Sequence, residues 1–83
     1  MDTINIIREF IVDNFLFGDG SQLHDDSSFL QESIIDSTGI LEVISFLEKQ
    51  FPIKINDDEI LPENLDSLNN ISAFLKRKFS NNQ

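Results

Sequence analysis

Apolar residues recur at spacings of three and four in three stretches of this chain, and this spacing is the strongest constraint on its fold. Such spacing gives an α-helix one apolar face, whereas a half-buried strand would alternate apolar and polar residues. The three apolar sets are Ile4, Ile7, Phe10, Ile11 and Phe15; Ile40, Val43, Ile44, Leu47 and Phe51; and Leu68, Ile71, Phe74 and Leu75. The sequence therefore predicts helices over residues 3–17, from residue 36 or 37 to about residue 50, and from residue 66 or 67 through the basic cluster at residues 76–78.

The segments between these helices contain residues that are typical of loops and turns. Residues 18–32 are rich in Gly, Ser and Asp, which predicts a long, mobile loop anchored to the core by Leu23 and by the Phe29-Leu30 pair. Pro52 ends the second helix and an extended segment follows it, while residues 57–61 can form only a short helix or 3₁₀ turn before Pro62. The predicted fold class is all-α: a small four-helix bundle with three main helices, one short helix and a long first loop. Residues 1–79 form a single domain in this interpretation, and residues 80–83 a frayed polar tail.

The charge distribution narrows the possible partners. Eight Phe among 83 residues and 40% hydrophobic residues are enough for a packed core, so the net charge of −9 does not imply disorder. Residues 1–66 contain all fifteen acidic residues and three of the six basic ones, a net charge of −12, and the remainder carries +3. An acidic surface repels nucleic acid and anionic lipid, and it favours basic protein partners.

Several kinds of chemistry are excluded by composition and spacing. Without cysteine the chain cannot supply a disulfide, a thiolate metal site or a thiol nucleophile. No stretch is apolar enough to span a membrane and no signal peptide is visible, so we expect a cytoplasmic protein. The acidic runs that begin at Asp19 and Asp57 lack the glycine and ligand spacing of a calcium loop, so no metal site is predicted. His24 is the only histidine and no spacing ties it to a serine, so we predict no catalytic residues.

The remaining motif is Asp36-Ser37-Thr38-Gly39 at the start of the second helix. By itself it is typical of an N-cap, in which a side-chain oxygen accepts a hydrogen bond from a free backbone N–H. A hydroxyl at a helix N-terminus is also well placed to carry a phosphate ester, because the free N–H groups and the helix dipole favour an anion there. The residues alone leave both interpretations open.

Residues 29–79 resemble the acyl carrier protein family. The resemblance consists of Asp36-Ser37, a helix ending at Phe51, the Ile53-x-Ile55 and Asp57-Asp58-Glu59 segments, and Pro62-Glu63-Asn64-Leu65 leading into the last helix. It implies a carrier domain in which a transferase esterifies a 4′-phosphopantetheine arm from coenzyme A to Ser37, next to Asp36. Asp66-Ser67-Leu68 matches the family tripeptide more literally. However, Ser67 follows no long acidic loop, and its helix leads to the end of the chain, so Asp66 and Ser67 are interpreted as caps.

The resemblance also implies a partner surface on the outward face of the second helix. Its positions are Thr38, Leu41, Glu42, Ser45 and Glu48. Leu41 lies at the edge of the core stripe, so it is either an exposed contact or peripheral core. Implied partners are a phosphopantetheinyl transferase and acyl ligases, synthases or other acyl-transferring enzymes acting on a monomer. Phe46 could line a cavity that shelters the cargo, or simply pack in the core.

Three positions depart from the family pattern. Thr38 replaces the usual Leu, Ser45 stands where an apolar residue is common, and Lys49 reverses a usual acid. These departures favour a specialised carrier over one that serves general fatty-acid synthesis. Two alternatives stay open: an aminoacyl or peptidyl carrier of a non-ribosomal pathway, and a small helical interaction module without a prosthetic group.

Overall fold

The computed structural model of the protein describes the backbone of residues 3–81 and the side chains of residues 3–79. The helices are α1 (Thr3–Phe15), α2 (Gly39–Gln50), α3 (Pro62–Leu65) and α4 (Leu68–Asn81), with a 3₁₀ turn at Asp57–Glu59. Within these residues there is no strand. The predicted all-α fold with three main helices and one short one is confirmed.

The core forms where the apolar faces of α1, α2 and α4 meet. Each helix contributes the positions that its spacing predicted, because those positions share one face. The buried helical side chains are Ile7 and Ile11 of α1, Val43, Ile44 and Leu47 of α2, and Leu68, Ile71, Phe74 and Leu75 of α4. Complete burial of one such side chain stabilises the fold by about 1.5–3 kcal/mol, so this cluster holds the bundle together.

The end of α1 comes two residues earlier than predicted. Phe17 has a φ of 53° and Gly18 a φ of 84°, both in the left-handed region that cannot continue a right-handed helix. The Gly18 N–H turns back and donates to the Val12 carbonyl at 2.9 Å. The chain therefore leaves α1 at Phe15 and turns into the first loop.

The first loop is attached to the start of α4. Leu23 and Phe29 are buried as predicted, but Leu30 is 50% exposed, so its prediction as a core anchor is wrong. The Phe29 N–H donates to the Asp66 carbonyl at 2.8 Å, and the Leu30 N–H donates to Asp66 Oδ1 at 3.0 Å. These bonds fix the Leu30 backbone while its side chain points outward. The end of the loop is therefore attached to the residues before α4, while the predicted mobility of the loop stays a prediction.

The segment between α2 and α4 contains two short elements. Phe51, Ile53 and Ile55 face inward and Pro52 and Lys54 face solvent, as the alternation predicted. The predicted short turn before Pro62 is present as the 3₁₀ turn. The sequence predicted only that Pro62 would end the preceding turn. In the structure Pro62 also begins α3, at a first helical position where its missing N–H costs nothing.

Helix α4 starts at the predicted cap and runs further than expected. Ser67 Oγ accepts a hydrogen bond from the Asn70 N–H at 3.0 Å, which is N-cap geometry. The helix continues to Asn81, two residues into the predicted polar tail. The last part of that tail, residues 82–83, lies outside the described residues.

Candidate functional site

The N-terminus of α2 is built by Asp36. Its Oδ1 accepts a hydrogen bond from the Gly39 N–H at 2.6 Å, and its carbonyl accepts one from the Ile40 N–H at 3.1 Å. Thr38 already has helical dihedral angles, φ −74° and ψ −41°, and makes no capping bond through its side chain. Asp36 is therefore the N-cap, and Ser37 occupies the first turn, as the motif predicted.

Gly39 lets α1 and α2 approach closely beside this cap. A Cβ atom at position 39 would lie 2.9 Å from Cε1 of Phe15 and 3.0 Å from Cγ2 of Ile35. Both distances are too short for ordinary carbon contacts. The glycine of the motif is therefore explained by packing, and it sets the position of the turn that carries Ser37.

The two candidate serines have different environments. Ser37 is exposed at the start of α2. Ser67 is only 6% exposed, and its Oγ caps α4. An enzyme that modifies a hydroxyl must reach it, so the structure favours Ser37 over Ser67 as an attachment point.

An apolar cavity of about 160 Å³ adjoins Ser37, and we call it the Ser37 cavity. One wall is the end of the first loop, the other is the segment that includes α3, and the start of α2 lies between them. Its lining residues are Phe29, Leu30, Ile35, Ser37, Ile40, Ile60, Leu61, Pro62, Leu65 and Asp66. A dry cavity of roughly 150 Å³ is large enough to hold a benzene-sized group. The cavity can therefore take a small apolar group at the exposed serine.

The loop wall of the Ser37 cavity is held by Asp66. The carboxylate accepts hydrogen bonds from the Ser28 hydroxyl and from the Leu30 N–H. Asp66 was predicted to be a cap of α4, but its side chain turns to the first loop and Ser67 alone provides the capping oxygen. The end of the loop is thus tied to the residue that precedes α4.

The α3 wall is held by the basic cluster of α4. Lys78 Nζ contacts both carboxylate oxygens of Glu59, at 2.9 and 3.2 Å, and Arg77 Nη2 donates to Asn64 Oδ1 at 2.7 Å. The Asn56 N–H, and secondly Lys78, hold the pKa of Glu59 below its usual value, because both stabilise the carboxylate. From the sequence, these cations were expected only to interact favourably with the negative, C-terminal end of the α4 dipole. Asn64 lies 13 residues before Arg77, and Glu59 lies 19 residues before Lys78. No local sequence pattern reveals pairs so far apart in the chain.

The outward face of α2 carries the predicted partner residues. Thr38, Leu41, Glu42, Ser45 and Glu48 are all exposed. Leu41 is 58% exposed, so it lies on the surface and is not peripheral core, and its role as a partner contact stays a prediction. Glu48 has an internal role that the sequence did not indicate, because its Oε2 accepts a hydrogen bond from the Ile55 N–H at 2.8 Å.

Phe46 does not line the Ser37 cavity. It is half-buried and stacks on Phe10 of α1, with the ring centroids 4.1 Å apart and the planes at 14°. This stacking joins α1 to α2 at the edge of the core, where both rings pack against the buried cluster. Phe46 therefore lines a groove between those two helices instead.

Other ionisable residues lie away from this site. His24 is exposed in the first loop, and its backbone N–H donates to Ser27 Oγ at 3.0 Å. The Ser21 backbone N–H donates to Asp19 Oδ1 at 3.0 Å and lowers the pKa of Asp19. Among the described residues, no group of three or more His, Cys, Asp or Glu side chains is arranged to hold a metal ion.

Comparison with known proteins gives relatives in sequence and in structure. No protein-family model matches the chain. An acyl carrier protein from Helicobacter hepaticus is 26% identical over 76 residues, which are 92% of this chain and 96% of that protein. The solution NMR structure of a holo acyl carrier protein from Nitrosomonas europaea is 27% identical, with a TM-score of 0.77 over 96% of this chain and 99% of that chain. The chain is a homologue of acyl carrier proteins.

The chain is also similar to a chain in the structure of an enzyme. A crystal structure of an FAD-dependent dehydrogenase contains a chain that is 25% identical to this one, with a TM-score of 0.73. The match covers 83% of this chain and 97% of that chain. In the part of this acyl carrier protein homologue that the structure describes, no helix is long and apolar enough to cross a membrane.

Proposed function

We propose that this chain is a discrete acyl carrier protein whose Ser37 bears a 4′-phosphopantetheine arm. The single observation that carries the assignment of Ser37 is its exposure beside an apolar cavity at a capped helix start, while Ser67 is buried and used as a cap. The homology to acyl carrier proteins supports the class of function. The structure of a holo relative supports a prosthetic group.

The residues around Ser37 fit such an arm. The Asp36 carboxylate is turned to the Gly39 N–H, so it orders the backbone of the turn and leaves the exposed Ser37 side chain accessible. The N-terminus of α2 favours the negative charge of a phosphate ester. When attached, the arm supplies a terminal thiol that holds an acyl group as a thioester, a function that no residue of this cysteine-free chain can provide.

The proposal assigns catalysis to partner enzymes and not to this chain. A phosphopantetheinyl transferase would load Ser37, and acyl ligases, synthases or other acyl-transferring enzymes would load and use the arm. We assign these enzymes to the outward face of α2, where Leu41 offers an exposed apolar contact beside Glu42. The proposed compartment is the cytoplasm and the proposed state is a monomer.

The test is mass spectrometry after incubation with coenzyme A and a phosphopantetheinyl transferase. We expect the addition of one phosphopantetheine that is lost in Ser37→Ala. Ser21→Ala is the control, because Ser21 is an exposed serine in the first loop, outside the outward face of α2, and we expect its loss to leave the modification intact. Modification that persists in Ser37→Ala and disappears in Ser67→Ala would overturn the assignment. A chain that stays unmodified with several transferases would favour an interaction module without a prosthetic group.

A second candidate is a specialised carrier whose tethered group is a substrate for a flavin-dependent dehydrogenase. The observation that favours it is the similar chain in the crystal structure of an FAD-dependent dehydrogenase. The departures at Thr38, Ser45 and Lys49 fit a dedicated partner better than general fatty-acid enzymes. Loading the arm with acyl and with aminoacyl groups, then assaying each for flavin reduction, separates the two kinds of cargo. Rapid elongation by general fatty-acid enzymes would contradict this specialised role.

A further inference from the structure

An open groove of about 600 Å³ runs between α1 and α2, and we call it the α1–α2 groove. The residues that matter here are Phe10 of α1 and Leu41, Glu42, Ser45, Phe46 and Lys49 of α2. It is distinct from the Ser37 cavity, because the two share no lining residue.

The floor of the α1–α2 groove is apolar. Phe10 and Phe46 are stacked with their centroids 4.1 Å apart, and Phe10 also meets Phe15 edge to face at 6.2 Å. Leu41, 58% exposed, stands beside these rings. Polar side chains of Glu42, Ser45 and Lys49 border Leu41 and the two rings, so the groove presents a narrow apolar strip between polar residues.

Two unpaired charges of opposite sign stand along the groove. Among residues 3–79, ion pairs join only Arg8 to Asp25 and Lys78 to Glu59, so Glu42 and Lys49 have no charged partner within the described chain. They are seven residues apart on α2, which places them on the same face and about 10.5 Å apart along the axis. That separation prevents them from pairing with each other. The groove therefore has a negative end, nearer Ser37, and a positive end.

We propose that the α1–α2 groove binds an amphipathic helix of a partner protein that carries both charges. Its apolar side chains would pack on Leu41 and the Phe10–Phe46 stack. A basic side chain would face Glu42, and an acidic one two turns away would face Lys49. A helix that lays its apolar face in a groove is a recurrent mode of recognition, and its turns match the spacing of the two charges. The proposal rests on the assignment of the outward face of α2 to partners, but not on modification of Ser37.

The net charge of the chain, taken alone, predicts a different partner helix. A chain with a net charge of −9 attracts a uniformly basic helix most strongly at long range. At the groove, however, the second basic side chain of such a helix would face Lys49 and be repelled. A helix with one basic and one acidic side chain satisfies both ends, so local complementarity and bulk attraction favour different partners.

The test uses three synthetic helical peptides that differ only at two positions seven residues apart: Lys and Glu, Lys and Lys, or Glu and Glu. All have the same Leu-rich apolar face and blocked ends. Binding is followed by the amide shifts of the ¹⁵N-labelled chain, in wild type and in Ser37→Ala. We expect the Lys/Glu peptide to bind wild type about two- to fivefold more tightly than either of the others, from the usual strength of one exposed ion pair. The shifts should centre on Phe10, Leu41, Ser45 and Phe46.

Charge variants of the chain give matched controls. Glu42→Lys should transfer the preference to the Glu/Glu peptide, and Lys49→Glu to the Lys/Lys peptide, because each variant gives the groove two like charges. Leu41→Ser should weaken all three peptides without changing their order. Tightest binding of the Lys/Lys peptide to wild type would overturn the proposal in favour of bulk attraction. Shifts confined to the Ser37 cavity, shifts that depend on protein concentration without peptide, or no binding at millimolar peptide would also overturn it. Because Ser37→Ala gives the same result, failure here is separate from failure of the carrier assignment.

Discussion

Lys78 Nζ lies 2.9 Å from Oε1 of Glu59, and this contact joins the last turns of α4 to the 3₁₀ turn that precedes the α3 wall of the Ser37 cavity. Neither residue lines the cavity. Both help to fix the segment that contains Ile60, Leu61 and Leu65, which do line it. A pair of charged residues outside the cavity therefore positions its wall.

Removal of this cation should loosen the wall selectively. We expect Lys78→Met to lower the free energy of unfolding by about 0.5–1 kcal/mol, in the range of a partly exposed ion pair. Amide exchange in residues 57–65 should accelerate, while exchange in the centre of α1 stays unchanged. Lys76→Met is the control, because Lys76 is exposed on the same helix and belongs to neither ion pair of the described residues. Equal effects of the two substitutions would contradict a specific role for Lys78.

The same contact should depend on pH. The pKa of Glu59 is held below its ordinary value of 4.5, so its ionised form stabilises the folded state above that pH. This stabilisation is lost as the pH falls below 4.5 and through the lowered folded-state pKa. We expect wild type to exceed Glu59→Gln in urea midpoint at pH 7, and the difference to shrink towards zero in strong acid. A difference that stays constant from pH 7 to pH 3 would exclude the contribution of the Glu59 charge.

Gly39 should not tolerate a methyl group. Gly39→Ala brings a Cβ within 2.9 Å of the Phe15 ring and 3.0 Å of Ile35, which forces the start of α2 away from α1. Overpacking of this kind costs about 1–3 kcal/mol, which offsets the roughly 1 kcal/mol that alanine gains over glycine in a helix. We expect a lower melting temperature than for Ser45→Ala, an exposed change in the same helix. A higher melting temperature for Gly39→Ala would show that the contact relaxes freely.

Asp66 should control the order of the first loop. We expect Asp66→Ala to remove the bonds to the Ser28 hydroxyl and the Leu30 N–H and to raise amide exchange at Leu30 and Gln31. The Phe29 N–H should keep part of its protection, because it donates to the backbone carbonyl of residue 66. Asp26→Ala, an exposed carboxylate in the same loop, is the control. Fast exchange throughout the loop in wild type would contradict the anchoring.

Lys49 should influence the choice of partner. We expect Lys49→Glu to raise kcat/KM for loading by general carrier-handling enzymes, because it restores an acid where acyl carrier proteins usually have one. Lys54→Glu makes the same charge change outside α2 and controls for net charge. Equal increases for Lys49→Glu and Lys54→Glu would show that overall charge matters more than this face, and an unchanged rate for Lys49→Glu would contradict the prediction.

The helical core could be predicted from the sequence because residue spacing within each helix determines which side chains share a face. Val43, Ile44 and Leu47 share a face through helical periodicity alone, and Asp36 caps α2 through a bond that spans three residues. Such interactions depend on spacing within one element. The position of Ser37 at the start of α2 followed from the same local pattern.

The walls of the Ser37 cavity could not be predicted in this way. Leu30 looked like an anchor because it is apolar, but backbone bonds to Asp66, 36 residues later, turn its side chain outward. Glu48 looked like a free surface acid, yet it accepts a hydrogen bond from the Ile55 N–H once the chain has turned at Pro52. These roles arise from contacts between elements, and no periodicity encodes them.

The attachments of the two cavity walls differ in physical kind. The loop wall is held by backbone N–H groups that donate to Asp66, whereas the α3 wall is held by Lys78 and Arg77. Dissolved salt screens a partly exposed ion pair strongly and a backbone hydrogen bond weakly. Ionic strength should therefore weaken the Lys78–Glu59 attachment of the α3 wall more than the backbone bond from Phe29 to Asp66 that holds the loop wall.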